Sequence, residues 1–578
     1  MMRKLLCFLK GYEKESVLGP LFKLFEATLE LFVPLAVASL IDTGIANKDF
    51  DYILKMFFVL VALGIIGLAF SLTAQFFAAK AAVGFVKKLK HALFQHMEQL
   101  SYTEIDRLGT SAMVNRMTSD MNQIQSGMNM SLRLLLRSPF VVAGAFIMAW
   151  IIDDRAAKIF GITILVLTVI VYGIMIITIP LYRKVQQKLD MVSATTRENL
   201  VGVRVIRAFG LEEEEKKEFV QKHKSLTQGQ KFVGSISALT NPLTYVAVNI
   251  GIAVLIWQGA IQVEYGILTQ GAVVALYNYM AQILEELVKL ANMIVLLTKM
   301  VASGNRVQSV LEMKSSQIYP EKTNKEKQKK MPFVVFENVS LKYHGAGEES
   351  LTNINFQVNQ GQVVGVIGGT GCGKTSLVNL IPRFYDATEG TVWIDGIDVK
   401  EYQKKEIRNM VGVVPQKAVL FKGSIRDNLC WGKTSASEEE IWKALEIAQA
   451  KEIVEQKAEK LDFEISQNGR NLSGGQRQRM TIARALVKRP RILILDDSAS
   501  ALDYTTDANL RKALQNMEEK PTIFIVSQRT ISIQHADIIL VLDDGDLVGM
   551  GTHQELLESC ETYQEIYASQ FKKEVSNS

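Results

Sequence analysis

Apolar and polar positions divide the chain near residue 312. Before that point, Met56 to Ala79, Ile159 to Tyr182, Phe232 to Val263 and Tyr265 to Leu284 carry no charged residue at all. A helix needs about 20 apolar residues to cross a hydrocarbon layer of ~30 Å, and each stretch reaches that length. Two more are less clean. Val17 to Ile41 is interrupted by Lys23, Glu26 and Glu30, and Arg133 to Ile152 has Arg133 and Arg137 near one end. The pattern predicts an all-α membrane domain of six long helices over residues 1–312. Residues 313–332 are lysine-rich and read as a charged, solvated linker. From residue 333 to 578 the texture becomes α/β: short β-branched runs such as Phe333 to Phe336, Val363 to Ile367 and Arg491 to Leu495, divided by glycine turns and helical stretches.

Composition agrees with this segregation. Over 578 residues, 48% are hydrophobic and 22% charged, which excludes a disordered chain. A net charge of +5 favours no particular partner. The four cysteines, Cys7, Cys372, Cys430 and Cys560, have neither metal nor disulfide spacing and fit a reducing compartment. The first residues are basic with a short apolar run, as in a segment lying along a membrane surface.

The distribution of basic residues sets an orientation. Loops after the first, third and fifth stretches hold few, whereas the long connections hold Lys80, Lys87, Lys88, Lys90, Arg107, Arg116, Arg183, Lys184, Lys188, Arg204 and Arg207. The positive-inside rule places both termini, both long connections and the α/β part on the cytoplasmic side of the cell membrane. The polar connections, turning near Ser101 to Asp120 and Val205 to Glu215, are expected to continue the helices well beyond the bilayer. Within the spans, Glu285 and Glu286 are candidates for a cavity that receives cationic or amphipathic cargo, or for a structural pair with Lys289 or a neighbouring helix. Glu26 and Glu30, with Lys23 nearby, are expected to form an internal ion pair near the inner surface.

Chemistry is concentrated in the second half. Val363 to Ile367 runs into Gly368, Gly369, Thr370, Gly371, Cys372, Gly373, Lys374 and Thr375, a full GxxxxGK[ST] between strand and helix. There, backbone N–H groups and a helix N-terminus converge on phosphates. Lys374 is expected to reach the β- and γ-phosphates of ATP, and Thr375 to ligate Mg²⁺. Cys372 reads as a small residue packing beneath the phosphates. The apolar run Ile492 to Leu495 ends in Asp496 and Asp497, and Asp496 is expected to face the same Mg²⁺.

Between these motifs lies Leu472-Ser473-Gly474-Gly475-Gln476, which resembles the signature of the ATP-binding-cassette (ABC) family. Gln416 resembles that family's glutamine loop, a further Mg²⁺ contact. Asp503 resembles its D-loop, and Tyr343 the aromatic that stacks on adenine, with Ser376 beside the phosphate loop. Thr110 to Asp120 and Gly202 to Phe209 resemble segments bearing the two coupling helices. The resemblance spans nearly the whole chain and implies an exporter-type half-transporter. Two nucleotide domains would close head to tail around two ATPs, the signature of each chain completing the other's site.

Two positions depart from the family pattern. Asp497 stands where a catalytic Glu is usual, and Gln528 where a switch His is usual. Together they imply a slow site in one subunit of a heterodimeric exporter of amphipathic or drug-like molecules. A homodimeric exporter, or a lipid or lipopeptide flippase, is the alternative, and an ATP-gated regulator or channel a remoter one. Peptide export with processing is disfavoured, because no protease domain precedes the first span. Six spans exclude a soluble DNA-associated ATPase, and no nucleic acid is expected as partner.

Overall fold

The computed structural model describes residues 2–323 and 331–571. It divides into two compact units. One comprises residues 1–98 and 111–313, the other residues 99–110 and 314–578.

In the first unit, six helical segments are long and apolar enough to cross a membrane: Glu13–Ile45, Phe50–Gln99, Thr110–Ile152, Asp154–Val201, Glu212–Glu264 and Gln270–Leu311. The 50-residue second segment is ~75 Å long at 1.5 Å per residue, far more than a bilayer core requires, so the spans do continue past it. The apolar window of that segment has no buried residue, whereas its later part, Ala74 to Leu93, is packed. The expected last span began at Tyr265. In the structure Tyr265 lies in the preceding turn, and the final helix starts at Gln270 with Thr269 accepting from Ala272 N at 3.2 Å.

Small residues let these helices approach closely, as packing inside a membrane requires. Ala145, Ala149, Ala156 and Ala275 share a core with Leu31, Phe160, Leu255 and Tyr279. Gly271 sits against Ala38, and its N–H donates to Asp42 Oδ1 at 2.7 Å. A carboxylate from the first segment thus satisfies the start of the last one, where the helix dipole favours negative charge. Tyr279 O–H donates to the Leu31 carbonyl at 2.6 Å and ties the same two segments again.

The intramembrane charges pair across helices. Arg137 is only 6% exposed; it donates to Glu286 and, at 2.6 Å, to Glu30 Oε2. Ser138 donates to Glu286 Oε2 at 2.7 Å, and Lys289 reaches Glu286 Oε1 at 3.0 Å. The sequence expectation for Glu26 and Glu30 is therefore half corrected. Lys23 pairs with Glu26 at 2.5 Å, but Glu30 joins Arg137 of the third segment. Glu286 is 4% exposed and belongs to this packed network, which favours the structural alternative for it. Glu285 is 69% exposed and meets Lys289 at 2.7 Å.

The second unit is an α/β domain. A six-stranded sheet is built from β3 (Val363–Gly368), β6 (Val411–Val414), β9 (Ile492–Asp496), β10 (Thr522–Val526), β11 (Ile538–Asp543) and β12 (Asp546–Gly551), all parallel except β12, in the order β12-β11-β3-β10-β9-β6. An antiparallel sheet of β1 (Val334–Leu341), β2 (Leu351–Val358), β4 (Glu389–Ile394) and β5 (Ile397–Asp398) covers one face, and a short antiparallel pair joins β7 (Gly423–Ser424) to β8 (Glu464–Ile465). The apolar run at β9 is buried on both sides, as central parallel strands are. Ile492 and Ile494 enter the core with the antiparallel sheet, while Leu493 and Leu495 enter the helical core opposite.

The short helix Tyr102–Leu108 belongs to the second unit, whereas Ser111 to Asp120 belong to the first. Ser101 and Glu104 form a capping box at its start, and Glu104 accepts from Ser316 N at 3.2 Å. Tyr102 packs on Phe384 (4.8 Å between centroids), the Arg408 guanidinium lies over Phe384 at 4.2 Å, and Tyr385 O–H donates to Asp106 Oδ2 at 2.6 Å. Gly202 to Phe209 contains its own helix, Val203–Phe209, ended by Gly210 in the left-handed region (φ 66°). The linker is also less free than its composition suggests. Gln317 is buried against Arg383 and Asp386, and the Arg383 guanidinium stacks on Tyr319 at 4.3 Å; residues 324–330 of the expected linker lie outside the described residues.

Removing Arg137 leaves Glu286 buried with Lys289 as its remaining cation. Arg137→Ala should destabilise the membrane unit by about 3–5 kcal/mol, the usual cost of breaking a buried pair. Arg137→Leu combined with Glu286→Leu should recover most of that loss. Thermal unfolding in lipid nanodiscs checks this, and an unchanged midpoint for Arg137→Ala would show that the network carries no stability.

Candidate functional site

Parallel register brings the nucleotide motifs to one edge of the sheet. Val526 of β10 lies opposite Val366 of β3 on one side and Asp496 of β9 on the other, so β9 and β10 end in step and β3 runs two residues further, to Gly368. The glycine loop, Asp497 and the Ser527–Gln528 segment follow at the same edge. One cleft is lined by Thr370, Lys374, Gln416, Asp496, Asp497 and Gln528, among others.

The loop takes its shape from glycines. Gly371 (φ 90°) and Gly373 (φ 94°) occupy the left-handed region, and a Cβ on Gly373 would lie 2.5 Å from the Ser350 carbonyl. The helix Lys374–Leu380 follows at once. Lys374 is buried, its Nζ donating to the carbonyls of Gly368 (3.0 Å) and Gly369 (2.5 Å), with Cys372 Sγ at 3.6 Å. Cys372 is itself buried, in keeping with the packing role read from the sequence.

Thr375 Oγ1 donates to Asp496 Oδ1 at 3.0 Å. Burial pushes the Asp496 carboxyl up from its ordinary value; the Thr375 hydrogen bond opposes this, and neighbouring Asp497 adds to it. A hydroxyl and a carboxylate at this spacing are hard oxygen donors. They suit Mg²⁺, which keeps few protein ligands and completes its shell with water and phosphate oxygens. Asp497 stands in the left-handed region at φ 45°, its N–H donating to the Val526 carbonyl at 3.0 Å. Gln416 Nε2 donates to Asp497 Oδ2 at 3.3 Å. Gln528 lines the cleft and is exposed.

Tyr343 adjoins this cleft through Ser376, its O–H donating to Ser376 Oγ at 2.9 Å, and its ring meets Tyr385 edge-on at 5.0 Å. The signature residues lie elsewhere. Ser473 caps the helix Gly474–Val487 in a capping box with Gln476, Leu472 is buried, and none of Leu472 to Gln476 lines the cleft. Asp503 caps the helix Tyr504–Gln515 by accepting from Thr506 N at 3.2 Å, and hydrogen bonding by the Thr506 side chain, with this backbone bond, holds its carboxyl below the usual range. The sequence motifs did not reveal Ser350, whose carbonyl presses on the loop, nor Tyr385, which lies between Tyr343 and Asp106. Ser350 has no local sequence signal. Tyr385 could have been suspected from the aromatic pair that follows Arg383.

Comparison with known proteins agrees with these features. Residues 16–287 match the family model for the ABC transporter transmembrane region, and residues 351–500 match that for the ABC transporter. An uncharacterised ABC transporter ATP-binding protein of Bacillus subtilis, YfiB, is 33% identical over the full length of both chains. The ATP-dependent lipid A-core flippase of Syntrophus aciditrophicus is 31% identical, covering 85% of this chain and 81% of its own. The putative multidrug export protein YgaD of Bacillus subtilis is 30% identical over 99% of each. A solved bacterial Atm1-family ABC exporter with ATP bound superposes with a TM-score of 0.82 at 23% identity, over 96% of this chain and 99% of that one, and shares its fold. A six-helix membrane unit, a strand-ended glycine loop facing an aspartate pair and full-length relatives at this identity lead to one conclusion: the chain is a half-transporter of the ABC exporter family, a multi-pass membrane protein that couples ATP hydrolysis to transport.

Proposed function

We propose that this chain is the slow-site subunit of a heterodimeric ABC exporter that moves amphipathic or drug-like molecules out across the cytoplasmic membrane. The observation that carries this reading is the convergence of Asp497 and Gln528 on one cleft with Lys374, Thr375 and Asp496. Both residues occupy positions where hydrolysis needs an activated water. An Asp is one methylene shorter than Glu, and a misplacement of ~1 Å can cost on the order of a hundredfold in rate. Glutamine donates and accepts hydrogen bonds but cannot titrate as imidazole does.

The residues for nucleotide binding stand beside them. Backbone N–H groups of Thr370 to Thr375 and the helix start at Lys374 would hold the phosphate chain, and Tyr343, next to Ser376, would stack on adenine. Thr375, Asp496 and Gln416 would hold Mg²⁺, which would supply charge to offset that of the phosphates. Asp497 orients water from a short reach while tied to Gln416. The intact signature, Leu472 to Gln476, lies outside this cleft and is free to complete a partner's site. That partner is a second half-transporter carrying Glu and His at the corresponding positions. Exposed apolar side chains on the Val203–Phe209 helix, Val205 at 59% and Phe209 at 74%, also suit cover by a partner chain. ATP binding favours the closed pair and hydrolysis reopens it, the cargo path following.

The nucleotide unit and both termini lie in the cytoplasm, in keeping with the basic connections. Glu285, exposed beside Lys289, is the residue proposed to meet cationic cargo, while Glu286 braces the helices. The relatives named for multidrug export and lipid A flipping support an amphipathic cargo class.

Restoring both residues tests the slow-site reading. Asp497→Glu with Gln528→His should raise steady-state ATP hydrolysis about ten- to a hundredfold; no rise would remove the reading. Glu285→Gln should weaken export of cationic dyes several-fold more than that of neutral ones in vesicle transport assays. An unchanged cargo profile would return Glu285 to a structural role.

A further inference from the structure

The segment that carries Gln528 is held from an unexpected direction. After β10 the chain makes the short helix Thr530–Ile533, whose capping residue, Arg529, supplies no side-chain cap. The cap comes instead from the C-terminal helix Glu561–Phe571. Gln570 Oε1 accepts from both the N–H and the O–H of Thr530, each at 2.9 Å, and Gln570 Nε2 donates to the Gln528 carbonyl at 2.8 Å. One amide thus uses both its ends and grips the backbone on either side of Arg529. Thr530 is fully buried, so its N–H and O–H would otherwise be orphaned away from water.

The remaining contacts fix the rest of the segment. Ser527 N–H donates to the Val366 carbonyl of β3 at 3.0 Å. Arg511 donates to the Ile531 carbonyl at 3.0 Å, and Ser532 donates to Asp507 Oδ2 at 3.2 Å, both partners lying on the helix Tyr504–Gln515. The helix bearing Gln570 is anchored by Tyr563, fully buried, whose O–H shares a 2.7 Å hydrogen bond with His553 Nδ1. The peptide plane that follows the Gln528 Cα is held at both ends, its carbonyl by Gln570 and its Arg529 N–H by donation to Ser527 Oγ at 2.9 Å, while Ser527 itself is tied to β3. This restricts the direction in which the Gln528 side chain can leave the backbone.

We propose that Gln570 is a positioning residue for the ATP site: the C-terminal helix aims residue 528 at the nucleotide through this amide. The inference rests on the reading of Gln528 as the residue at the switch position, and it makes the last helix part of the hydrolytic apparatus.

The test compares Gln570→Ala and Gln570→Glu in the full-length chain in lipid nanodiscs. Hydrogen–deuterium exchange over Val526 to Gln534 reports the grip directly. Gln570→Ala should speed exchange at Thr530 about tenfold. Gln570→Glu keeps an acceptor for Thr530 and loses the donor to the Gln528 carbonyl, so it should leave Thr530 protected. Placed on the Asp497→Glu/Gln528→His background, both variants should lower kcat about tenfold with KM for ATP within twofold. That split, with Thr530 protected and kcat still lost in Gln570→Glu, is one a merely stabilising contact would not give. Unchanged exchange and unchanged kcat in Gln570→Ala would overturn the proposal, as would a loss of kcat accompanied by a proportional rise in KM. If the background itself hydrolyses ATP no faster than the natural chain, the slow-site reading is what fails, and the kcat of the Gln570 variants relative to that background, read beside Thr530 exchange, still decides the role of Gln570.

Discussion

The register of three parallel strands is the constraint on which the rest of the nucleotide unit depends. Because Val366, Val526 and Asp496 are neighbours in that register, the glycine loop, Asp497 and the Ser527–Gln528 segment must emerge at one edge. A one-residue slip would turn every side chain of a strand to the opposite face. In β9 that would exchange Ile492 and Ile494 with Leu493 and Leu495 between two packed cores, and it would swing Asp496 away from Thr375. The burial that stabilises the sheet is therefore what places the carboxylate proposed to hold Mg²⁺. Asp497, one residue further, leaves the strand in the left-handed region and turns towards Gln416.

The membrane unit obeys a different constraint. Lipid offers no hydrogen bonds to an unpaired charge, so ionic groups inside the spans must find one another. Arg137 does this for three helical segments at once by joining Glu30 and Glu286, and Lys289 shares the second carboxylate. Such networks cost desolvation and fix geometry, and a unit that must change conformation during transport has to carry this brace as a rigid body or break it. Glu285, one residue earlier on the same helix, is exposed beside Lys289.

Legibility in the sequence followed the range of the interactions. The six spans, the phosphate loop and the buried strand ending in two aspartates were readable because each is a local pattern with its own periodicity or spacing. The helix Tyr102–Leu108 was legible only as part of the polar turn from Ser101 to Asp120, although its start carries a local signal, the Ser101-x-x-Glu104 capping box. Glu30 and Arg137 were not legible as partners, since 107 residues separate them and no rule of helical spacing applies. Gln317 looked like solvated linker by composition, yet a buried pocket beside Arg383 takes it. Gln570 had no motif at all. Its role depends on a helix end whose own cap is absent, and only the fold brings the two together.

The central claim is that this chain binds ATP at a site it hydrolyses poorly and relies on a second subunit for turnover. The most direct test is steady-state ATP hydrolysis by the purified chain in lipid, alone and then mixed with a half-transporter that carries the Glu and His this chain lacks. The account predicts near-background turnover for the chain alone and strong turnover for the pair. Brisk hydrolysis by the chain alone, abolished in Lys374→Ala, would contradict it and make the protein a homodimeric exporter whose Asp497 and Gln528 suffice.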